Sequence, residues 1–269
     1  ACRGACSGES SAVGTEADAG AERDLSFVRF PPGAPGRGLP EGARRRAVHL
    51  LDWGALAAGQ MGGQRIGELR MNAPLAGMAW AGETEHRLLT LSTEGRIHVW
   101  DLRSRSCPVT AYDTGLFGAK GLEVTMPHSM VPPYWAIGSS NGIVNMYGGQ
   151  STDSATTSTQ LEELLAAPTS ASVMDDVRLT ARKSLGNLTT ATTSMRFSHD
   201  AQLLALASRN KKDALRVVHV PSLQAYSNWP TSGTPLGHVT SIDFSSHSEY
   251  LAIGNSRGRV LLYSLRSYL

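Results

Sequence analysis

The chain has 269 residues, 41% of them hydrophobic, and sets 25 Lys and Arg against 23 Asp and Glu for a formal net charge of +2. So even a balance excludes the strong overall field of a dedicated nucleic-acid binder, whose footprint requires clustered basic residues. No apolar run reaches the roughly 18 residues of a membrane span, so no membrane association is expected. Three cysteines without a secretion signal fit a reducing compartment.

Residues 1–20 are small and polar and predict a mobile tail. Strands are expected within residues 25–30 and 48–53. Between them, the run PPGAPGRG at residues 31–38 neither pairs nor winds and reads as a loop. The triple Arg44, Arg45 and Arg46 reads as a solvated loop or as a contact with RNA or an acidic neighbour. Residues 66–71 look like an outer strand. Residues 88–100 (LLTLSTEGRIHVW) predict two strands around a turn at Gly95, and residues 134–147 (YWAIGSSNGIVNMY) two strands around Gly142. Residues 150–159 are a low-complexity polar stretch. The following LEELLA at residues 161–166 forms either a short helix that docks on a neighbour or a loop whose leucines lie back on the same domain. An outer strand resumes near residues 182–188. In residues 239–244, Thr240, Ile242 and Phe244 alternate with Val239, Ser241 and Asp243, which is period two and not 3.6. A short apolar run at residues 250–253, a turn at Gly258 and a β-branched and aromatic strand at residues 259–265 complete the pattern.

These segments are copies of one another. Residues 197–208 (FSHDAQLLALAS) lie over residues 244–255 (FSSHSEYLAIGN) without a gap, and residues 134–147 over 250–263 (YLAIGNSRGRVLLY). Gly95, Gly142 and Gly258 fall in register. The same register puts Phe197 and Phe244 in equivalent places, where both are expected to be buried between sheets. A unit recurring at about 40–45 residues is a supersecondary element that buries its faces by stacking on its copies. Strands in fours with a Trp-Asp pair closing the third strand mark the blade of a WD-repeat propeller. Trp100 and Asp101 are that pair, and Gly237 with His238 is the Gly-His dipeptide that opens such a blade. Tyr147, His219 and Tyr263 stand where the tryptophan stands in the other copies. The hairpin aspartate of regular repeats is replaced by Glu94, Asn141 and Arg257, so these blades are expected to rely on apolar packing.

The expected architecture is an all-β WD-repeat β-propeller over residues 21–269. It comprises a divergent or incomplete region at 21–70, a blade at 71–112, and a blade at 113–188 carrying a polar insert at 149–180. A blade at 189–229 and a last blade at 237–265 follow. The last blade shows three strands, and a fourth must come from earlier in the chain, from residues outside it, or from a partner. Ten residues are assigned structural repeat roles: Gly95, Trp100, Asp101, Gly142, Tyr147, His219, Gly237, His238, Gly258 and Tyr263.

A search for chemistry finds no catalytic, cofactor-binding or metal-binding residues. Residues 59–63 (GQMGG) lack the lysine of a phosphate loop, and no Gly-x-Ser-x-Gly elbow occurs. The eight histidines are scattered, and Cys107 and His128 have no partner at metal spacing. The chain reads as a non-enzyme.

The ordered set of motifs resembles one WD-repeat family. It runs from ELRMN at residues 68–72 and GRIHVWDLRSRSC at 95–107 through residues 134–147 and NLTT at 187–190. SMRF at 194–197, LALAS at 204–208, RVVHVPS at 216–222, YSNW at 226–229 and GNSRGRVLLY at 254–263 continue it. These are similar to the U3 small nucleolar RNA-associated protein 18 family, over about residues 66–265. The resemblance implies a nucleolar, non-catalytic scaffold of the small-subunit processome, within the UTP-B subcomplex, acting in pre-rRNA processing and small-subunit assembly. It implies other UTP-B propeller proteins and processome components as partners, with pre-rRNA and the small nucleolar RNP contacted mostly indirectly, and no cofactor. The family's exosome-recruiting tail motif is not assigned to Leu116-Phe117, which lies inside a blade. A rival reading is a WD-repeat substrate receptor of a ubiquitin ligase. Such a receptor should present a uniform ring at equivalent turns, and Glu94, Asn141 and Arg257 form none.

Overall fold

A computed structural model of the chain describes residues 25–28, 39–43, 47–52, 64–80, 87–113, 115–116, 118–124, 134–148, 177–231 and 233–265. The expected tail, the basic triple at 44–46, the LEELLA segment and His128 lie outside the described residues. Those that are described contain strands and turns and no helix. The chain divides into two compact units, residues 1–75 and 76–269.

The first unit holds one antiparallel sheet of β1 (Leu25–Val28), β2 (Leu39–Ala43), β3 (Ala47–Asp52) and β4 (Gln64–Arg70), in that order. Val48 and Leu50 are buried and alternate with half-buried Ala47 and His49, the period-two signature of a strand with one apolar face. Val48 stands opposite Leu69 of β4. The outer strand expected at residues 66–71 is thus the fourth strand of this sheet.

The described residues of the second unit form four sheets. The first contains β5 (Leu75–Trp80), β6 (Arg87–Ser92), β7 (Arg96–Asp101) and β8 (Ser106–Asp113), and the second β9 (Ala119–Val124), β10 (Tyr134–Ser139) and β11 (Val144–Gly148). Two short strands follow: β12 (Val177–Leu179) pairs parallel with β8 of the first sheet, and β13 (Lys183–Leu185) antiparallel with β11 of the second. The expected polar insert at 149–180 therefore ends in a strand that closes the edge of the preceding sheet, with Leu179 in its core. The third sheet is β14 (Ser194–Phe197), β15 (Leu203–Ala207), β16 (Leu215–His219) and β17 (Gln224–Ala225). The fourth is β18 (Val239–Phe244), β19 (Tyr250–Asn255) and β20 (Val260–Ser264).

Consecutive sheets share cores. On β10, Trp135 and Ile137 join Leu89, Leu91, Ile97 and Val99 of the first sheet, while Tyr134 and Ala136 join Leu204, Leu206 and Val218 of the third. On β15, Leu204 and Leu206 face that second core, while Leu203, Ala205 and Ala207 meet Val239, Ile242, Leu251 and Ile253 of the fourth sheet. Successive side chains of a strand point to opposite faces, so a strand apolar at every position is buried on both. The fourth sheet differs. Its β20 leaves Val260 72% and Leu262 66% exposed; among the described residues only one face of this sheet lies on a core cluster. Phe197 and Phe244 both pack on the core shared with the preceding sheet but differ in depth: Phe197 is buried in the second core, whereas Phe244 is only partly buried at the third.

Three hairpins turn on glycine at one equivalent place. The amide of Gly95 donates to the carbonyl of Ser92 at 3.0 Å, that of Gly142 to Ser139 at 3.4 Å, and that of Gly258 to Asn255 at 3.1 Å. All three have positive φ, at 86°, 86° and 72°. The surroundings separate them. A Cβ on Gly142 would sit 2.5 Å from the Leu188 carbonyl oxygen, whereas one on Gly258 would meet nothing within 4 Å. Gly258→Ala is therefore expected to cost only the backbone strain, about 1 kcal/mol. Gly142→Ala adds a collision with backbone and should cost about 3 kcal/mol or more. Denaturant midpoints of the two variants measure the difference, and equal costs would refute the tight approach at Gly142.

Candidate functional site

The ten repeat residues are distributed over the sheets of the second unit and do not surround one centre. Trp100, Tyr147, His219 and Tyr263 occupy the same pairing position on β7, β11, β16 and β20, opposite Leu88, Trp135, Leu203 and Leu251 respectively. Each is anchored differently. The Trp100 indole donates to the Thr90 hydroxyl at 2.9 Å in a buried setting. Asp101 is buried and accepts from the Arg103 amide at 2.9 Å, with the Arg103 guanidinium 3.6 Å away. Tyr147 stacks on Trp135 with ring centroids 4.2 Å apart. His219 Nδ1 lies 2.8 Å from the Ser222 hydroxyl, and Tyr263 meets Trp229 edge-on at 5.1 Å. Gly237, at φ 72°, donates to Asp213 Oδ1 at 2.7 Å, and His238 Nδ1 lies 3.0 Å from the Arg209 carbonyl oxygen.

A polar network missed by the sequence reading joins the first and second sheets. Asp113, at the end of β8, accepts from the Tyr147 hydroxyl, from Asn145 Nδ2 at 2.7 Å and from the Gly115 amide at 2.8 Å. The Ser184 hydroxyl on β13 donates in turn to Asn145 Oδ1 at 2.8 Å. Burial, reinforced by the Asp113 carboxylate, pushes the Tyr147 phenol far above its ordinary range, so it remains a donor at any physiological pH. A satisfied network of this kind fixes the mutual position of two sheets more specifically than apolar contact does.

A second missed group lies on the first strands of three sheets. Glu123, Arg196 and Asp243 stand opposite Ala136, Ala205 and Ala252, so they are one position in three successive repeats. Arg196 Nη1 lies 2.9 Å from Glu123 Oε1, and Arg196 Nε lies 3.5 Å from Asp243 Oδ1. One guanidinium thus links three sheets. The signal was present in the sequence as the alternation acid, base, acid at a repeat position, and it becomes visible only once the register is fixed.

Because Glu123 is largely buried and Asp243 is not, the two halves of the link differ in weight. Arg196→Met should destabilise the fold by about 2–3 kcal/mol, chiefly by withdrawing the guanidinium from the largely buried Glu123 carboxylate. The double variant Arg196→Met/Glu123→Gln should recover most of that loss. Asp243→Asn should cost less than about 1 kcal/mol. Urea denaturation of the cycle tests the coupling, and additive losses would show that the pair is not linked.

Among the described residues, no group of three or more His, Cys, Asp or Glu is placed to hold a metal ion. Cys107 is partly buried on β8, and burial raises its thiol pKa, which disfavours the reactive thiolate.

No family model matches the chain. Among curated proteins, it is 32% identical over 203 residues to the U3 small nucleolar RNA-associated protein 18 homolog of Arabidopsis thaliana and 33% identical over 204 residues to that of Mus musculus. Each alignment covers 76% of this chain and 32% of the relative. Similarity to U3 small nucleolar RNA-associated protein 18 of Saccharomyces cerevisiae reaches 44% over 133 residues, 49% of this chain and 19% of that protein. The chain spans about a third or less of the length of these relatives. With similarity of this extent to plant, animal and fungal members, the chain belongs to the U3 small nucleolar RNA-associated protein 18 family.

Proposed function

We propose that this chain forms consecutive blades of a WD-repeat β-propeller and serves as a non-catalytic scaffold in nucleolar pre-rRNA processing. The observation that carries the reading is the stacking of sheets through shared cores, with glycine turns and third-strand anchors at equivalent positions. The names of the relatives, which are associated with the U3 small nucleolar RNA, supply the setting. In this reading the ten repeat residues are structural: the glycines set the hairpins, and Trp100, Tyr147, His219 and Tyr263 anchor the third strands.

The mechanism is display. Sheets locked to one another hold their turns at fixed separations, and partners bind the turns and the exposed ends of the sheets. The partners proposed are other propeller subunits of the UTP-B subcomplex and components of the small-subunit processome. A further strand for the fourth sheet would come from earlier in the chain, from residues outside it, or from a partner.

Purification of the tagged full-length protein, with mass spectrometry and RNA sequencing of what accompanies it, tests the proposal. Ribosome-assembly factors and U3 RNA should co-purify and co-sediment with early pre-ribosomal particles. Recovery of a cullin-type ligase in place of these factors would replace the scaffold reading with that of a ubiquitin-ligase receptor.

A further inference from the structure

The even net charge conceals a local concentration that the fold creates. The turn from β15 to β16 carries Arg209, Lys211 and Lys212, and the turn from β19 to β20 carries Arg257 and Arg259, all five exposed. These turns occupy equivalent places in neighbouring sheets, and the segment at Gly237-His238 stitches them together. The Asp213 amide donates to the Gly237 carbonyl at 2.8 Å, and the Ser256 amide donates to the His238 carbonyl at 2.9 Å. His238 Nδ1 lies 3.0 Å from the Arg209 carbonyl oxygen. Among the described residues, these segments set five cations against one carboxylate, Asp213, which accepts from the Gly237 amide and lies 3.8 Å from Lys212 Nζ. The equivalent turn of the first sheet pairs Glu94 with Arg96, and that of the second carries Asn141 and Ile143, so basic residues concentrate at the third and fourth sheets.

We infer that this surface binds the sugar–phosphate backbone of RNA directly and without reading base identity. The inference rests on the proposed function only for the choice of RNA as the polyanion. The chemistry follows from the residues. Arginine and lysine on backbone-tethered turns meet phosphates with little ordering cost. The segments at 209–213, 237–238 and 256–259 contain no Phe, Tyr or Trp, and their one ring, exposed His238, is tied to the Arg209 carbonyl, so they offer neither a series of aromatic platforms for successive bases nor the apolar centre of a protein interface. What remains is contact by charge, which should accept single strands and duplexes alike.

Fluorescence anisotropy on the whole chain, with a labelled oligouridylate of about 20 nucleotides and an RNA duplex of similar length, tests this at salt between about 50 and 200 mM. Both RNAs should bind at the lower salt. Replacing Arg209, Lys211, Lys212, Arg257 and Arg259 with Gln should weaken binding at least about tenfold at the lower salt. It should also flatten the plot of log affinity against log salt, by roughly 0.7 per lost phosphate contact on the single strand. The pair Arg257→Gln/Arg259→Gln, made alone, guards against misfolding of the larger variant and should show part of the same loss. Arg103→Gln/Arg105→Gln, on the turn at the opposite end of the first sheet, should change affinity less than about twofold. Absence of binding at low salt, equal losses in the Arg103/Arg105 control, or preference for polyglutamate over RNA would each overturn the inference. A variant that loses RNA binding in vitro while the full-length protein still co-purifies with assembly factors supports both readings. A chain that fails to bind RNA yet co-purifies ends this inference and leaves the scaffold reading standing.

Discussion

The sharing of apolar residues between neighbouring sheets is the constraint on which the second unit depends. β10 and β15 bury both faces, and each face belongs to a different core. Neither strand could be stable in an isolated hairpin, since each would leave one apolar face in water. Stability therefore resides in the interfaces between sheets as much as within them, the behaviour expected of a stacked repeat. The polar links at Asp113 and Arg196 act on the same interfaces. They contribute specificity of placement to contacts that the hydrophobic effect makes favourable but not directional.

Much of the strand pattern of the second unit was legible because its copies can be laid over one another. Alternation at residues 239–244 and glycine at Gly95, Gly142 and Gly258 identify strands and turns by mechanisms that operate locally. Other elements exist for reasons the local sequence does not contain. β2, with sequence LPEGA, includes Pro, Glu and Gly, which disfavour strands, and forms because β1 and β3 pair with it on either side. β12 is three residues long at the end of a polar stretch, and only its parallel pairing with β8 and the burial of Leu179 define it. Phe244 shares its repeat position and its core-facing side with Phe197 yet is only partly buried, a difference in depth that laying the copies over one another does not show.

The charge distribution carries the same lesson. Read along the chain, the basic residues look dispersed, since 25 of them stand against 23 acids. The fold brings residues some fifty positions apart onto adjoining turns, and it places the buried acid Glu123 against a basic partner one sheet away. Equivalence of position in successive repeats is what makes such groupings predictable, because equivalent residues of stacked units become neighbours in space.

Strands buried on both faces also restrict how this chain can be divided. A cut in the segment between β13 and β14 would strip the second core of Met195, Phe197, Leu204 and Leu206, and uncover Ala136, Val144, Met146 and Leu185 on the part that remains. A fragment ending there would present a broad apolar sheet face, the kind of surface that drives association with itself. Boundaries chosen at the loops between sheets, which look permissive because few residues cross them, are therefore poor termini for expression. Even a pair of sheets cut out with the core between them would leave apolar positions of β10 or β15 uncovered on an outer side.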